Sequence, residues 1–130
     1  GLALIIFVFG LFGVELIDVK QYSVAQIVYS ILMNVLIVGV CEELVFRGYI
    51  FEKLKTVFSN IHIIILICAC VFGLWHIING SWAQVGVTAL IGIVFGYIRT
   101  VKHGTTLSCI IAHGFYNALL PIVGLILFYI

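Results

Sequence analysis

Three of the chain's eleven formally charged side chains (six basic, five acidic) fall within six residues. Glu42, Glu43 and Arg47 follow an uncharged run from Gln21 to Cys41. Charged groups inside so apolar a stretch are costly and tend to mark function. On a helix, Glu43 and Arg47 stand at i and i+4 and can pair on one face. Glu42 is turned about 100° from Glu43, so Arg47 can satisfy only one of the two acids well. The other is available for proton chemistry. The competing reading is an Arg47-centred ion network that only fixes helix packing.

Two histidines shift that balance. His76 ends the segment Phe72-Gly73-Leu74-Trp75-His76, and His113 stands four residues before Asn117, so the last two point the same way from one helix. A single buried histidine is more often a satisfied core residue. Two of them, with an amide and a spare carboxylate on three apolar segments, form a set with a chemical use. Glu42 and His76 could polarise a water for attack on a peptide carbonyl. His113 and the Asn117 amide could donate hydrogen bonds to the oxyanion that develops.

The elements that must carry these groups follow from composition. The 130 residues are 65% hydrophobic and 8% charged, against about 25% charged in soluble domains, and mean hydropathy is +1.36. The expected fold is all-α: a polytopic transmembrane bundle forming one membrane-embedded domain over residues 1–130, its polar site inside. Five spans are expected: Gly1–Ile17, Ser23–Phe51, Ile61–Ile78, Trp82–Arg99 and Thr105–Ile130, the last kinked or divided by Pro121. β-Branched runs such as Ile61-His62-Ile63-Ile64-Ile65 still read as helix, because lipid requires backbone groups to be satisfied internally. Both ends read as clipped, and Gly1–Leu16 lacks the basic start and cleavage site of a signal peptide. A net charge of +1 gives no case for nucleic-acid binding. Lys53, Lys55, Arg99 and Lys102 fall on one side, which the positive-inside rule makes cytoplasmic.

Other polar residues have plainer readings. Cys41, Cys68, Cys70 and Cys109 are expected to be buried small apolar residues without disulfides. His62 is expected to be interfacial and His103 solvated. Trp75, Trp82 and Tyr22 suit an aromatic belt, with Trp75 a second candidate for lining a cleft. Thr105 or Thr106 suits an N-cap; Ser108 lacks any cue for a base that would make it a nucleophile. Gly92 and Gly96 form a small-xxx-small face for close packing.

The ordered set Glu42-Glu43-x-x-x-Arg47, Phe72-x-x-x-His76 and His113-x-x-x-Asn117 resembles the three-motif signature of the CAAX protease and bacteriocin-processing (CPBP, or Abi) family. These intramembrane endopeptidases are similar to the Ras-converting CAAX prenyl endopeptidase. Phe46-Arg47-Gly48, with Phe51 just beyond, also resembles the first motif, and the likeness spans roughly residues 31–120. It implies Glu42 as general base with His76, His113 and Asn117 as the oxyanion site, Glu43 and Arg47 in support, and Phe72 packed alongside. It leaves metal dependence open: none is required, but Glu42, His76 and His113 could hold a divalent ion such as zinc. The implied substrate is a membrane-associated peptide or protein, in CAAX processing or in bacteriocin maturation and self-immunity. The compact chain looks like a bacterial cell-membrane member with its site open to the cytoplasm. The alternatives are a non-catalytic immunity or scaffold protein that binds a peptide or partner helix, and a proton or ion pathway. His76 poses a geometric problem: it lies close to the outer turn, so the third span must start inside the membrane or stop short of the far surface for the groups to meet.

Overall fold

The computed structural model describes residues 23–129, and among them every regular element is helical. The expected first span, Gly1–Ile17, and the polar turn after it lie outside the described residues, as does Tyr22. Four helices are long and apolar enough to cross a membrane: Val24–Lys55, Ile61–Ile78, Trp82–Thr100 and Thr106–Val123. We label them α1 (Val24–Lys55), α2 (Ile61–Trp75, continued by a 3-10 turn over His76–Asn79), α3 (Trp82–Thr100) and α4 (Thr106–Tyr129).

Each start has a local cause. Ser23 caps α1 through a capping box with Gln26. Asn60 caps α2 by accepting from the His62 N–H, and Ser81 caps α3 by accepting from the Gln84 N–H. At α4, Thr105 Oγ1 accepts from the Ser108 N–H while Ser108 Oγ accepts from the Thr105 N–H. Ser108 is therefore a capping partner. Two boundaries differ from expectation. α1 runs on to Lys55, because Glu52 is held within the helix by Lys55 and reaches Arg99 of α3 at 2.7 Å. Pro121 sits inside α4 without ending it.

α1 is not a uniform α-helix. Its hydrogen bonding widens to π turns over Asn34–Val38 and Leu44–Ile50, on either side of an α segment at Gly39–Glu43. Such turns cluster at functional sites, and these two bracket the paired acids.

Helices α2 and α3 form the tightest pair, and their small residues are the reason. A β-carbon on Gly73 would stand 2.7 Å from the Val85 carbonyl oxygen and 2.8 Å from the Ala89 methyl. One on Gly92 would meet Ala69 Cα at 3.1 Å, and one on Gly96 would meet Ile65 at 2.8 Å. The Gly92–Gly96 face thus packs within the chain, against α2. Without a hydrophobic drive between helices in lipid, such close approach is what holds them. Gly73→Ala is expected to lower stability by about 1–3 kcal/mol, read as the denaturation midpoint in detergent micelles. An unchanged midpoint would show that α2 and α3 can separate freely. The core beneath the site is Phe46, Phe51, Ile64, Ile65, Cys68 and Phe72.

Of the four cysteines, Cys68 and Cys109 are buried, whereas Cys41 and Cys70 are exposed. The expectation of four buried thiols fails for the latter two because the outer face of a membrane helix is as apolar as its inner one. Trp75 and Trp82 are both exposed near the Asn79-Gly80-Ser81 turn. His62 is exposed, with Nδ1 3.1 Å from the Tyr97 hydroxyl, and His103 is exposed.

Candidate active site

α1, α2 and α4 bring Glu42, Glu43, His76 and His113 together. Glu43 and Arg47 pair at 2.8 Å with no side-chain exposure on either. Arg47 Nη2 also donates to the Gly92 carbonyl of α3 at 2.9 Å, and its guanidinium lies 4.6 Å from the Phe72 ring centre and 5.3 Å from that of Phe95. One arginine thus ties α1 to α2 and α3, through charge, hydrogen bond and ring faces. The same Glu43 oxygen that accepts from Arg47 lies 2.8 Å from His113 Nδ1. Because that oxygen accepts, Nδ1 carries the proton, and the imidazole is aimed by a carboxylate behind it.

His76 is aimed by backbone. Its Nδ1 donates to the Phe72 carbonyl at 2.9 Å, one turn back. A carbonyl can only accept, so Nδ1 of His76 is protonated and Nε2 is the ring's free nitrogen. Both histidines then direct Nε2 at a single atom. Glu42 Oε2 is 4.0 Å from His76 Nε2 and 3.7 Å from His113 Nε2. Glu42 is 16% exposed and His76 22%, so the open edge of the cluster is where these two meet. Oε2 is itself buried without a protein hydrogen-bond partner. Phe72 backs the group: its ring lies 4.9 Å from His76 and 5.9 Å from His113, edge to face.

Asn117 is turned partly aside. Its Nδ2 donates to the Asn34 carbonyl of α1 at 3.1 Å, which takes up one amide N–H and leaves the second. Its placement differs from an amide devoted wholly to a substrate oxyanion.

The depth problem resolves at the far end of α2. The Ile61–Ile78 span has 18 residues, about 27 Å of helix, and His76 near its end reaches Glu42. α1 continues about 27 Å past Glu42 toward Val24 at the same rise. The α2–α3 turn therefore stops near the level of the site, while α1 extends well beyond it.

Three residues near the site escaped sequence reasoning. Phe95 stacks on the His113 ring at 5.0 Å and 29°, Gly92 supplies the carbonyl for Arg47, and Asn34 supplies the carbonyl for Asn117. Gly92 carried a packing signal only. Nothing marks Phe95 among ten phenylalanines, and a backbone acceptor has no residue type.

The suggested metal set can be tested on the same distances. A tetrahedral zinc with bonds of about 2.0 Å places its donors about 3.3 Å apart. Glu42 Oε2 stands farther than that from both Nε2 atoms, and among the described residues no group of three His, Cys, Asp or Glu is arranged to hold a metal ion. As placed, Glu42 Oε2 is too far from both Nε2 atoms to share a tetrahedral zinc with them.

Residues 24–119 match the family described as type II CAAX prenyl endopeptidase Rce1-like, over more than half of the chain. No curated protein matches the chain, and no solved structure matches it.

Proposed function

The chain belongs to the Rce1-like family of type II CAAX prenyl endopeptidases, and from that premise we propose that it hydrolyses a peptide bond of a membrane-associated substrate by a metal-free mechanism centred on Glu42. The observation that carries this reading is the convergence of two imidazole Nε2 atoms on Glu42 Oε2, at 4.0 and 3.7 Å. A gap of that size is too long for a direct hydrogen bond and suits a bridging water. A water about 2.8 Å from both Glu42 Oε2 and His76 Nε2 would subtend about 90° between them, close to its own H–O–H angle. Both its protons then point at acceptors, and a lone pair is left for the substrate carbonyl.

In the first step the water oxygen bonds to the carbonyl carbon, its proton passes to Glu42, and the carbonyl π pair becomes an oxyanion. His113 donates to that oxyanion through Nε2–H, with Glu43 behind Nδ1 and Arg47 behind Glu43. The second amide N–H of Asn117 is the companion donor, its first being fixed on Asn34. In the second step the carboxylic acid of Glu42 protonates the leaving nitrogen as the C–N bond breaks and the oxyanion pair re-forms the carbonyl; the new carboxylic acid then passes its proton to the freed amine, giving a carboxylate and an ammonium.

The substrate class follows from the family and from the site's place inside a helical bundle. We assign a lipid-anchored C-terminal segment, approached at the α2–α3 turn, where Glu42 and His76 form the open edge of the cluster. A bacterial cell membrane, with a bacteriocin precursor as a second substrate type, is consistent with the short connections. The test uses protein reconstituted in nanodiscs and three peptides: a prenylated CAAX peptide, the same peptide without its lipid, and an apolar transmembrane peptide. Preferential cleavage of the prenylated peptide, with release of its C-terminal fragment, is expected. Cleavage of the transmembrane peptide alone would replace the substrate class. Binding without cleavage of any of the three would favour the scaffold or immunity role.

A further inference from the structure

α1 buries a stripe that no uniform α-helix keeps on one side. Ile27, Gly39, Glu43, Arg47 and Phe51 are buried, and Ile31 and Val35 are half-buried. The stripe recurs every four residues from Ile27 to Phe51. At 100° per residue each step of four overshoots a full turn by about 40°, so six steps would wind the stripe by about 240°. Each π turn admits about one extra residue and so takes back about 100°, leaving a drift of only about 40° for the pair. The two π turns are what keep the acids, the arginine and the helix contacts on a common line.

Each π turn is gripped from a neighbouring helix at its own carbonyl. In the first, the Asn34 carbonyl accepts from the Gly39 N–H five residues on, and also from Asn117 Nδ2 of α4 at 3.1 Å. Glycine suits both sides of this α1–α4 crossing. A β-carbon on Gly39 would stand 3.3 Å from the Asn34 oxygen and 3.7 Å from Asn117 Nδ2, and one on Gly114 would stand 3.0 Å from Val35. In the second, the Phe46 carbonyl accepts from the Phe51 N–H, and also from the buried Cys68 thiol of α2 at 3.2 Å. An i→i+5 turn gives up the preferred α bonding, so a donor from outside the helix favours the widened form over the regular one.

We propose that Cys68 and Asn117 are latches on the two π turns: by holding the Phe46 and Asn34 carbonyls they set the rotation of α1 that aims Glu42 at His76 and His113. Cys68 is then a positioning residue, acting through the backbone of α1 without touching substrate. Its effect on turnover rests on the protease reading above; the latch itself does not.

The experiment uses the whole chain in nanodiscs, with Cys68→Ser retaining a donor and Cys68→Val matching size without one. Cys68→Val is expected to lower kcat about tenfold with KM unchanged, and Cys68→Ser to stay within about twofold of wild type. Equal losses in both would reduce Cys68 to packing and overturn the proposal, as would full activity in Cys68→Val. If Cys68→Val does not fold, Cys68→Ala takes its place. The infrared S–H stretching band gives a readout independent of turnover. The band lost between wild type and the variant is expected at the lowered frequency of a thiol bonded to a carbonyl. A band at the free-thiol position would overturn the latch. A lowered band in protein that cleaves none of the three peptides would retire the protease reading and keep the latch.

Discussion

Glu42→Gln is expected to lower the cleavage rate by about 10²- to 10⁴-fold, the range that a positioned general base contributes, while leaving the protein as stable as wild type or more so. The amide keeps the size and shape of the carboxylate but cannot take a proton from water. The stability arm separates chemistry from architecture. Glu42 Oε2 is buried without a hydrogen-bond partner in the protein, which is an unfavourable position for an anion. Replacing it with a neutral amide removes that burden, by about 1 kcal/mol. A group that exists to hold helices together would show the opposite sign, a loss of stability on substitution. Glu43 offers that contrast one residue away, since its carboxylate already serves Arg47 and His113. Wild-type cleavage measured with and without a chelator completes the test. Persistence under chelation supports direct activation of water by Glu42. Loss under chelation would mean that the cluster closes around a metal in the active state. Unchanged activity in Glu42→Gln would remove this residue from the mechanism altogether.

The four described spans and the polar constellation were legible in the sequence for one physical reason. In a chain this apolar every strongly polar group inside a span stands out, so Glu42, Glu43, Arg47, His76, His113 and Asn117 could be named before any geometry was known. The family signature then ordered them. What stayed hidden depends on faces and on backbone. A soluble helix betrays its buried side by amphipathicity. Here lipid makes the outer side equally apolar, so Cys41 and Cys70 could not be told from Cys68 and Cys109. The π turns were hidden because they change hydrogen bonding without requiring a particular residue. The four-residue recurrence from Ile27 to Phe51 was visible in principle, but only burial separates it from the exposed apolar residues between, such as Leu32, Leu36, Leu44 and Val45. Asn117 shows the limit most clearly. Its spacing from His113 put it on the right face, yet its partner is the Asn34 carbonyl, which no side-chain pattern encodes.

Arg47→Met is expected to be the most destabilising single change in the bundle. The pair it breaks has no solvent exposure on either side, and leaving one charge of a buried pair alone costs about 3–5 kcal/mol. Three further contacts go with it: the hydrogen bond to the Gly92 carbonyl and the faces of Phe72 and Phe95. Glu43 would be left with His113 as its one remaining hydrogen-bond partner. Denaturant titration in mixed micelles should record the loss as a lowered midpoint. Adding Glu43→Gln to Arg47→Met is expected to recover a large part of that stability, because a neutral amide tolerates the buried position that a lone carboxylate does not. Activity is not expected to return with it. The carboxylate behind His113 Nδ1 would be gone, and with it the charge that supports an oxyanion donor at Nε2. Stability restored without turnover would thus separate the two duties of Glu43: partner to Arg47 for the fold, and support to His113 for the reaction. A variant carrying Arg47→Met alone that matched wild type in stability would show that the ion pair is not desolvated. Recovery of both stability and turnover in the double variant would show that His113 works without a carboxylate behind it.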